Sequence, residues 1–184
     1  MRIIAGQFRG RALATVGKGD RGAHLRPTAD RVRESLFSIL AHLDVIDGAR
    51  VLDLFAGTGA LGLEALSRGA GHVSFVDDGR VAGGLIRKNI NLTGSAGQTD
   101  LIRRDATRLG DNSDAPFDLV FLDPPYGKGL GLRALEAAGS GNWLTTEALI
   151  VCEESTPLPV PAGFTLQDRR KYGSTHVTLM WASA

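Results

Sequence analysis

The sequence has a single cysteine, no apolar run near the length of a membrane span and no histidines at metal-ligand spacing. Each absence narrows what the chain can do. Cys152 stands in the apolar run Leu149-Ile150-Val151-Cys152, so no internal disulfide can form, and a small buried core residue is its expected role. The longest apolar stretches fall far below the ~20 residues that cross a bilayer. Met1-Arg2-Ile3-Ile4-Ala5-Gly6 carries a charge but no long apolar region, so no signal peptide is expected and a cytoplasmic location fits. His24, His42, His72 and His176 are expected as surface or packing residues, and no metal site is expected. Internal repeats are also missing.

What is present suits one folded domain. At 184 residues, with 43% hydrophobic and 22% charged content, the chain can bury a full core and carry a short appendage. The net charge of +1 hides an asymmetry: residues 1–33 hold eight Lys/Arg against Asp20 and Asp30, giving +6, and the remainder is −5. A basic arm on a mildly acidic body suggests that the arm meets a polyanion; a solvated surface segment is the alternative. The division expected is an arm over residues 1–27 and a main domain over 28–184.

Residues 2–5 and 11–14 read as two short strands around Gly6 to Gly10, a small hairpin, and Lys18 to Gly22 as a loop. Thr28 is placed to cap a helix over 29–43, where Val32, Leu36, Phe37, Leu40 and Leu43 recur at helical spacing and which Asp47-Gly48 ends. Strands and helices then alternate: strand 51–55, helix 60–68, strand 73–76, helix 80–92, strand 100–103, strand 117–122, helix 130–138 and strand 147–152. Gly83-Gly84 inside the second of those helices has no explanation at this level, at a cost of about 1 kcal/mol each relative to Ala. Residues 164–172 and 175–181, separated by Gly173-Ser174, form a closing hairpin. The expected fold is α/β and Rossmann-like: a seven-stranded, mostly parallel sheet with helices on both faces, a C-terminal antiparallel hairpin and a small N-terminal β-hairpin.

Two loops carry chemistry. Asp53-Leu54-Phe55-Ala56-Gly57-Thr58-Gly59-Ala60-Leu61-Gly62 has the G-x-G-x-x-G spacing between a strand and a helix, and Asp77 follows Gly57 by twenty residues. Such glycines let the backbone approach a ligand, and a carboxylate at Asp77 can accept from both ribose hydroxyls. A turn needed only for packing is the plainer reading. A dinucleotide would set its pyrophosphate on the helix N-terminus, where Asp53 would oppose it. The same charge suits a cationic ligand, and S-adenosylmethionine carries a sulfonium and an ammonium but no phosphate. Asp105, in Arg104-Asp105-Ala106, is placed to accept from an adenine amino group or, alternatively, to cap a helix over 106–110. The second loop is Asp123-Pro124-Pro125-Tyr126, directly after the strand 117–122. Its prolines stop the ladder and hold a carboxylate, two carbonyls and a ring beyond the strand's carboxyl end, where open α/β sheets bind ligands. An ordinary turn is the alternative.

These loops look like the motifs of class I methyltransferases that modify exocyclic amines. Arg2 to Gly10 and Leu25-Arg26-Pro27-Thr28-Ala29-Asp30-Arg31-Val32-Arg33-Glu34 narrow the likeness, and the chain resembles the bacterial 16S rRNA guanine-N2 methyltransferase family over nearly its whole length. The resemblance implies S-adenosylmethionine held by Asp53, Phe55, Gly57, Thr58, Gly59, Asp77, Asp105 and Ala106, and catalysis by Asp123, Pro124, Pro125 and Tyr126. It implies 16S rRNA or the small-subunit particle as partner, met by Arg9, Arg11, Arg26, Arg31 and Arg33, and a monomer that needs no membrane or metal. Two departures are Asp77, where that family usually has Glu, and Gly79, where it usually has an acid. Three other readings stay open: an adenine-N6 DNA methyltransferase, though no target-recognition domain is visible, a dinucleotide-dependent oxidoreductase, and a non-catalytic RNA-binding protein.

Overall fold

Along the central strands, residues two apart fall into the same apolar layer, which is the alternation a sheet covered on both faces imposes. In the computed structural model, residues 1–17 and 29–183 are described. Their order is α1 (Asp30–His42), β1 (Arg50–Leu54), α2 (Ala60–Ser67), β2 (His72–Val76), α3 (Arg80–Thr93), β3 (Thr99–Ile102), β4 (Phe117–Leu122), α4 (Leu130–Ser140), β5 (Leu144–Glu154), β6 (Phe164–Tyr172) and β7 (Thr175–Ala182). The seven strands lie in the order β3-β2-β1-β4-β5-β7-β6. β1 to β5 run parallel, and β7 is antiparallel to both β5 and β6. Val51, Val73, Phe75, Leu119, Phe121 and Val151 pack under α1, α2 and α3. Leu52, Leu54, Val120, Leu122, Ile150 and Met180 pack under α4 on the other face. Cys152 belongs to that second layer, as its apolar neighbours suggested, and burial pushes its thiol up.

Several expected details come out differently. The N-terminal pieces make no hairpin of regular strands but one antiparallel bridge, Arg2 to Ala12, with Ile3 N donating to the Arg11 carbonyl (3.0 Å) and Gly10 N to the Ile3 carbonyl (2.8 Å). α1 ends at His42, one residue short of the expected 43, and the chain turns at Asp44, left-handed at φ 55°, before Asp47-Gly48 is reached. The Thr28 cap and the Lys18–Gly22 loop lie outside the described residues. The helix over 106–110 is a single 3-10 turn, Ala106–Arg108, and β5 begins three residues before the strand expected at 147. Gly83 now has a reason: a Cβ there would lie 2.8 Å from Arg103 Nη1, so the glycine makes room for that guanidinium. Nothing in the structure explains Gly84.

The N-terminal segment is fastened to the body by a residue that the sequence hides in an apolar helix. Glu64 is fully buried in α2 and accepts from Ile4 N (2.8 Å), Ala5 N (3.1 Å) and Arg68 Nε (2.8 Å). Its second oxygen lies 3.6 Å from Nη1 of Arg33, which is itself fully buried. Charges can be taken out of water here only because they are paired, and removing one partner strands the other. Glu64→Ala should therefore cost about 3–5 kcal/mol of stability, read as a lowered midpoint in urea unfolding. A loss well under 1 kcal/mol would show that the cluster contributes little.

Candidate active site

Strand order reverses between β1 and β4, the two strands from which the chain leaves toward β2 on one side and β5 on the other. A crevice outside the carboxyl ends of such a pair is where open α/β sheets place their ligands. Both candidate loops open there. The glycine loop leaves β1 and Asp123 follows β4, with Asp123 N donating to the Leu54 carbonyl at 3.4 Å.

The glycine loop is shaped by its own hydrogen bonds. Asp53 is buried at the end of β1, and its Oδ2 accepts from Gly62 N at 2.9 Å, tying strand to helix. Gly59 stands at φ 77° before the first turn of α2, a conformation that a Cβ disfavours. Gly62 has a different reason, since a Cβ there would come within 2.5 Å of the Phe75 ring and 2.6 Å of Val73. Phe55, at φ 60°, is an aromatic residue held in left-handed backbone, a strain of order 1–3 kcal/mol of the kind that persists where surrounding structure enforces it. Asp77 pins the loop from β2: its Oδ2 accepts from Gly57 N (2.9 Å) and its Oδ1 from Gly79 N (2.8 Å).

The carboxylates are close enough to feel one another. Desolvation raises the Asp53 pKa well above the ordinary value; the Gly62 N–H opposes this, and the charges of Asp123 and Asp77 add to the rise. Burial also raises Asp77, against the pull of the Gly57 and Gly79 N–H groups. Asp105 goes the other way. Its Oδ1 accepts from both Thr107 N and Thr107 Oγ1 at 2.8 Å, which lowers its pKa and makes it the cap of the 3-10 turn that Ala106 opens. Tyr126 is half-buried, its Oη 3.3 Å from Thr175 Oγ1, and burial pushes its phenol up to about 12.

Asp53, Asp77 and Asp123 thus come together as their motifs suggested, with Pro124 buried and Pro125 exposed beside them. Thr58 anchors the loop: its hydroxyl donates to Met1 Sδ (3.6 Å) and its carbonyl accepts from Asn89 Nδ2 (2.8 Å). Arg33, expected to meet RNA, does not reach the surface. It is fully buried, with Nη2 donating to the Arg2 carbonyl and to Asp30 Oδ1 at 2.7 Å each, so it offers no surface to a phosphate. Arg9 and Arg31 are exposed. Arg11 is exposed too, but sends Nη1 to the Leu92 carbonyl at 2.8 Å. Arg26 lies outside the described residues. Sequence reading missed Glu64, Asn89 and Thr175. Asn89 is buried on the apolar stripe of α3, where a polar residue is itself a signal, and its Oδ1 also accepts from Ala14 N at 2.7 Å.

A family model described as conserved hypothetical protein 95 matches residues 1–181. The chain belongs to that family. Ribosomal RNA small subunit methyltransferase D of Escherichia coli is 40% identical over 176 residues, spanning 94% of this chain and 85% of the relative. The Haemophilus influenzae protein of the same name is 38% identical over 178 residues, with 94% and 89% covered. Among solved structures, yhhF from Escherichia coli superposes with a TM-score of 0.84 at 38% identity, covering 100% of this chain and 98% of that one. That solved structure thus shares the fold of this chain over nearly its whole length.

Two carboxylates with raised pKa values, beside a third, make a site that a cation would relieve. Asp53→Asn keeps an oxygen for Gly62 N but removes the buried charge. At neutral pH it should leave the free protein as stable as the wild type or more so, while weakening S-adenosylmethionine binding at least about tenfold, for loss of one charged contact. The stability gain should shrink as pH falls below the raised Asp53 pKa, where the folded wild type takes up a proton, and be gone at the ordinary carboxylate value, where the unfolded chain is protonated as well. Calorimetry giving unchanged affinity would remove Asp53 from the cofactor site.

Proposed function

We propose that this chain transfers a methyl group from S-adenosylmethionine to the exocyclic N2 amine of a guanine in the 16S rRNA of the small ribosomal subunit. The observation that carries the reading is Asp123-Pro124-Pro125-Tyr126 leaving β4 at the reversal point of the sheet, beside the buried Asp53, in a chain 40% identical to a small-subunit rRNA methyltransferase. The residues fit that cofactor: Asp53, Asp77 and Asp123 gather negative charge where a sulfonium and an ammonium would neutralise it, and a pyrophosphate would meet the same charge as repulsion. Asp77 holds Gly57 N with one oxygen and Gly79 N with the other, and each oxygen keeps a second lone pair for a ribose hydroxyl. A Cβ at position 79 would lie 2.9 Å from Asp77 Oδ1, so Gly79 gives the shorter Asp77 room to accept from its N–H.

When bound, S-adenosylmethionine supplies the electrophilic methyl group. The chain's own residues prepare the acceptor. The guanine N2 lone pair is delocalised into the ring, so the amine is a weak nucleophile. Asp123 and the Pro124 carbonyl accept its two hydrogens, favour pyramidal nitrogen and aim the lone pair. The Pro-Pro segment holds that geometry, and orientation of this kind accounts for several kcal/mol of barrier. Tyr126 stacks on the base once it is turned out of the RNA. Its phenol stays protonated near neutral pH, and Thr175 fixes the ring by its hydroxyl. Residues 1–27 form the arm that meets RNA, with Arg9, Arg11 and Arg26 joined by Arg31 at the start of α1.

Asp123→Ala should lower kcat on the order of 100-fold or more, as misplacement of the acceptor does, with the cofactor Kd within a few-fold of wild type. Tyr126→Ala should raise KM for RNA. Tyr126→Phe should be mild, losing only the Thr175 hydrogen bond, worth about 1 kcal/mol. Retained turnover in Asp123→Ala, or equal damage from the two Tyr126 variants, would contradict these roles.

A further inference from the structure

The closing hairpin reaches past the sheet on the side of the candidate active site. β5 ends at Glu154, which lies opposite His176 of β7, so the hairpin tip Tyr172-Gly173-Ser174-Thr175 overhangs the carboxyl edge from which Asp123 to Tyr126 emerge. Contact is direct, since Tyr126 Oη meets Thr175 Oγ1 at 3.3 Å.

Charge is arranged on this overhang by strand register. Lys171 is opposite His176, and His176 is opposite Glu154, so the three form one row across β6, β7 and β5 on a common face. Glu154 is buried at the end of that row, where its Oε1 accepts from Gly127 N (3.0 Å), Ser155 N (2.8 Å) and Ser155 Oγ (3.0 Å). The row therefore points to Gly127-Lys128-Gly129, the turn that follows Tyr126. Arg169, two residues before Lys171, shares its face. Lys128, Arg169 and Lys171 are all exposed. The neighbouring acid Asp168 is engaged by Arg170 Nε at 2.7 Å, while Arg169 sends Nη2 only to the neutral Leu158 carbonyl at 3.1 Å and keeps its charge.

We propose that Lys128, Arg169 and Lys171 form a second phosphate-binding edge, distinct from the N-terminal arm, for the RNA strand that carries the target base. The inference rests on the RNA-methyltransferase reading and adds where the strand runs. Held between the N-terminal arm and this hairpin, its backbone would be gripped on the side where Tyr126 receives the turned-out base.

The test is the double variant Lys128→Ala/Lys171→Ala, with Lys128→Arg/Lys171→Arg as its charge-retaining partner. Retention of a small-subunit rRNA hairpin-loop fragment is measured against salt without the methyl donor, so the result is readable whatever base is modified. Each phosphate contact with single-stranded RNA contributes a slope of about 0.7 on a log–log plot, so the Ala pair should flatten the slope by about 1.4. It should raise KM for RNA with kcat held, leave cofactor affinity at the wild-type value, and be rescued by the Arg pair. A wild-type slope and KM in the Ala pair would overturn the proposal and mark these cations as edge-strand protection. Loss of cofactor binding together with RNA binding would show a structural role and overturn it as well. A wild-type protein that grips RNA with this slope but methylates no guanine would instead sink the function reading.

Discussion

Negative charge gathered at one sheet edge is the constraint around which the rest of this molecule is arranged. The charges of Asp123 and Asp77 both reach Asp53, which is out of water altogether. Burying a carboxylate costs several kcal/mol, whereas a hydrogen bond to a charged group contributes about 1.5–3 kcal/mol. The single N–H that Gly62 gives Asp53 does not close that gap. Under the proposed function, a cationic ligand would offset the charge that this N–H leaves uncompensated. The strained backbone at Phe55 lies within the same loop, between the two fixed points Asp53 and Gly57.

Around that edge, structural and functional contacts share their residues. Asn89 accepts from Ala14 N in the N-terminal segment and donates to the Thr58 carbonyl in the glycine loop. Glu64 holds Ile4 and Ala5 while pairing with Arg33 and Arg68. The segment that bears Arg9 and Arg11 is thereby fixed to α2 and α3, the two helices that flank the glycine loop. On the opposite side, Thr175 ties the closing hairpin to Tyr126. The N-terminal segment and the closing hairpin are thus fastened on both sides of the crevice, as the proposed placing of one base within a folded RNA would need.

Much of this was legible in the sequence because periodicity and turn chemistry are local. The strand Phe117–Leu122 was read to the residue, and Gly57, Gly59 and Gly62 announced the loop. Charge patterning was a poorer guide. Arg33 looks like part of a basic arm, yet it sits one helical turn from Leu36 and Phe37 on the buried face of α1, and only the fold reveals that Glu64 waits for it. The resemblance implies a cofactor contact at Thr58, but not the bonds that fix it, whose partners Met1 and Asn89 are distant in sequence. Asp105 shows both faces of the problem, since the cap it forms is local and visible, while any adenine contact is not. The hairpin's reach past β5 depends on register, which no single strand encodes.

The most direct measurement is to incubate the purified protein with S-adenosylmethionine carrying a labelled methyl group and small ribosomal subunits or 16S rRNA that lack the modification, then digest the RNA and identify the labelled nucleoside by mass spectrometry. The expected result is label in N2-methylguanosine at one site. Label in N6-methyladenosine, or RNA left unlabelled by a protein that binds the cofactor, would contradict the account.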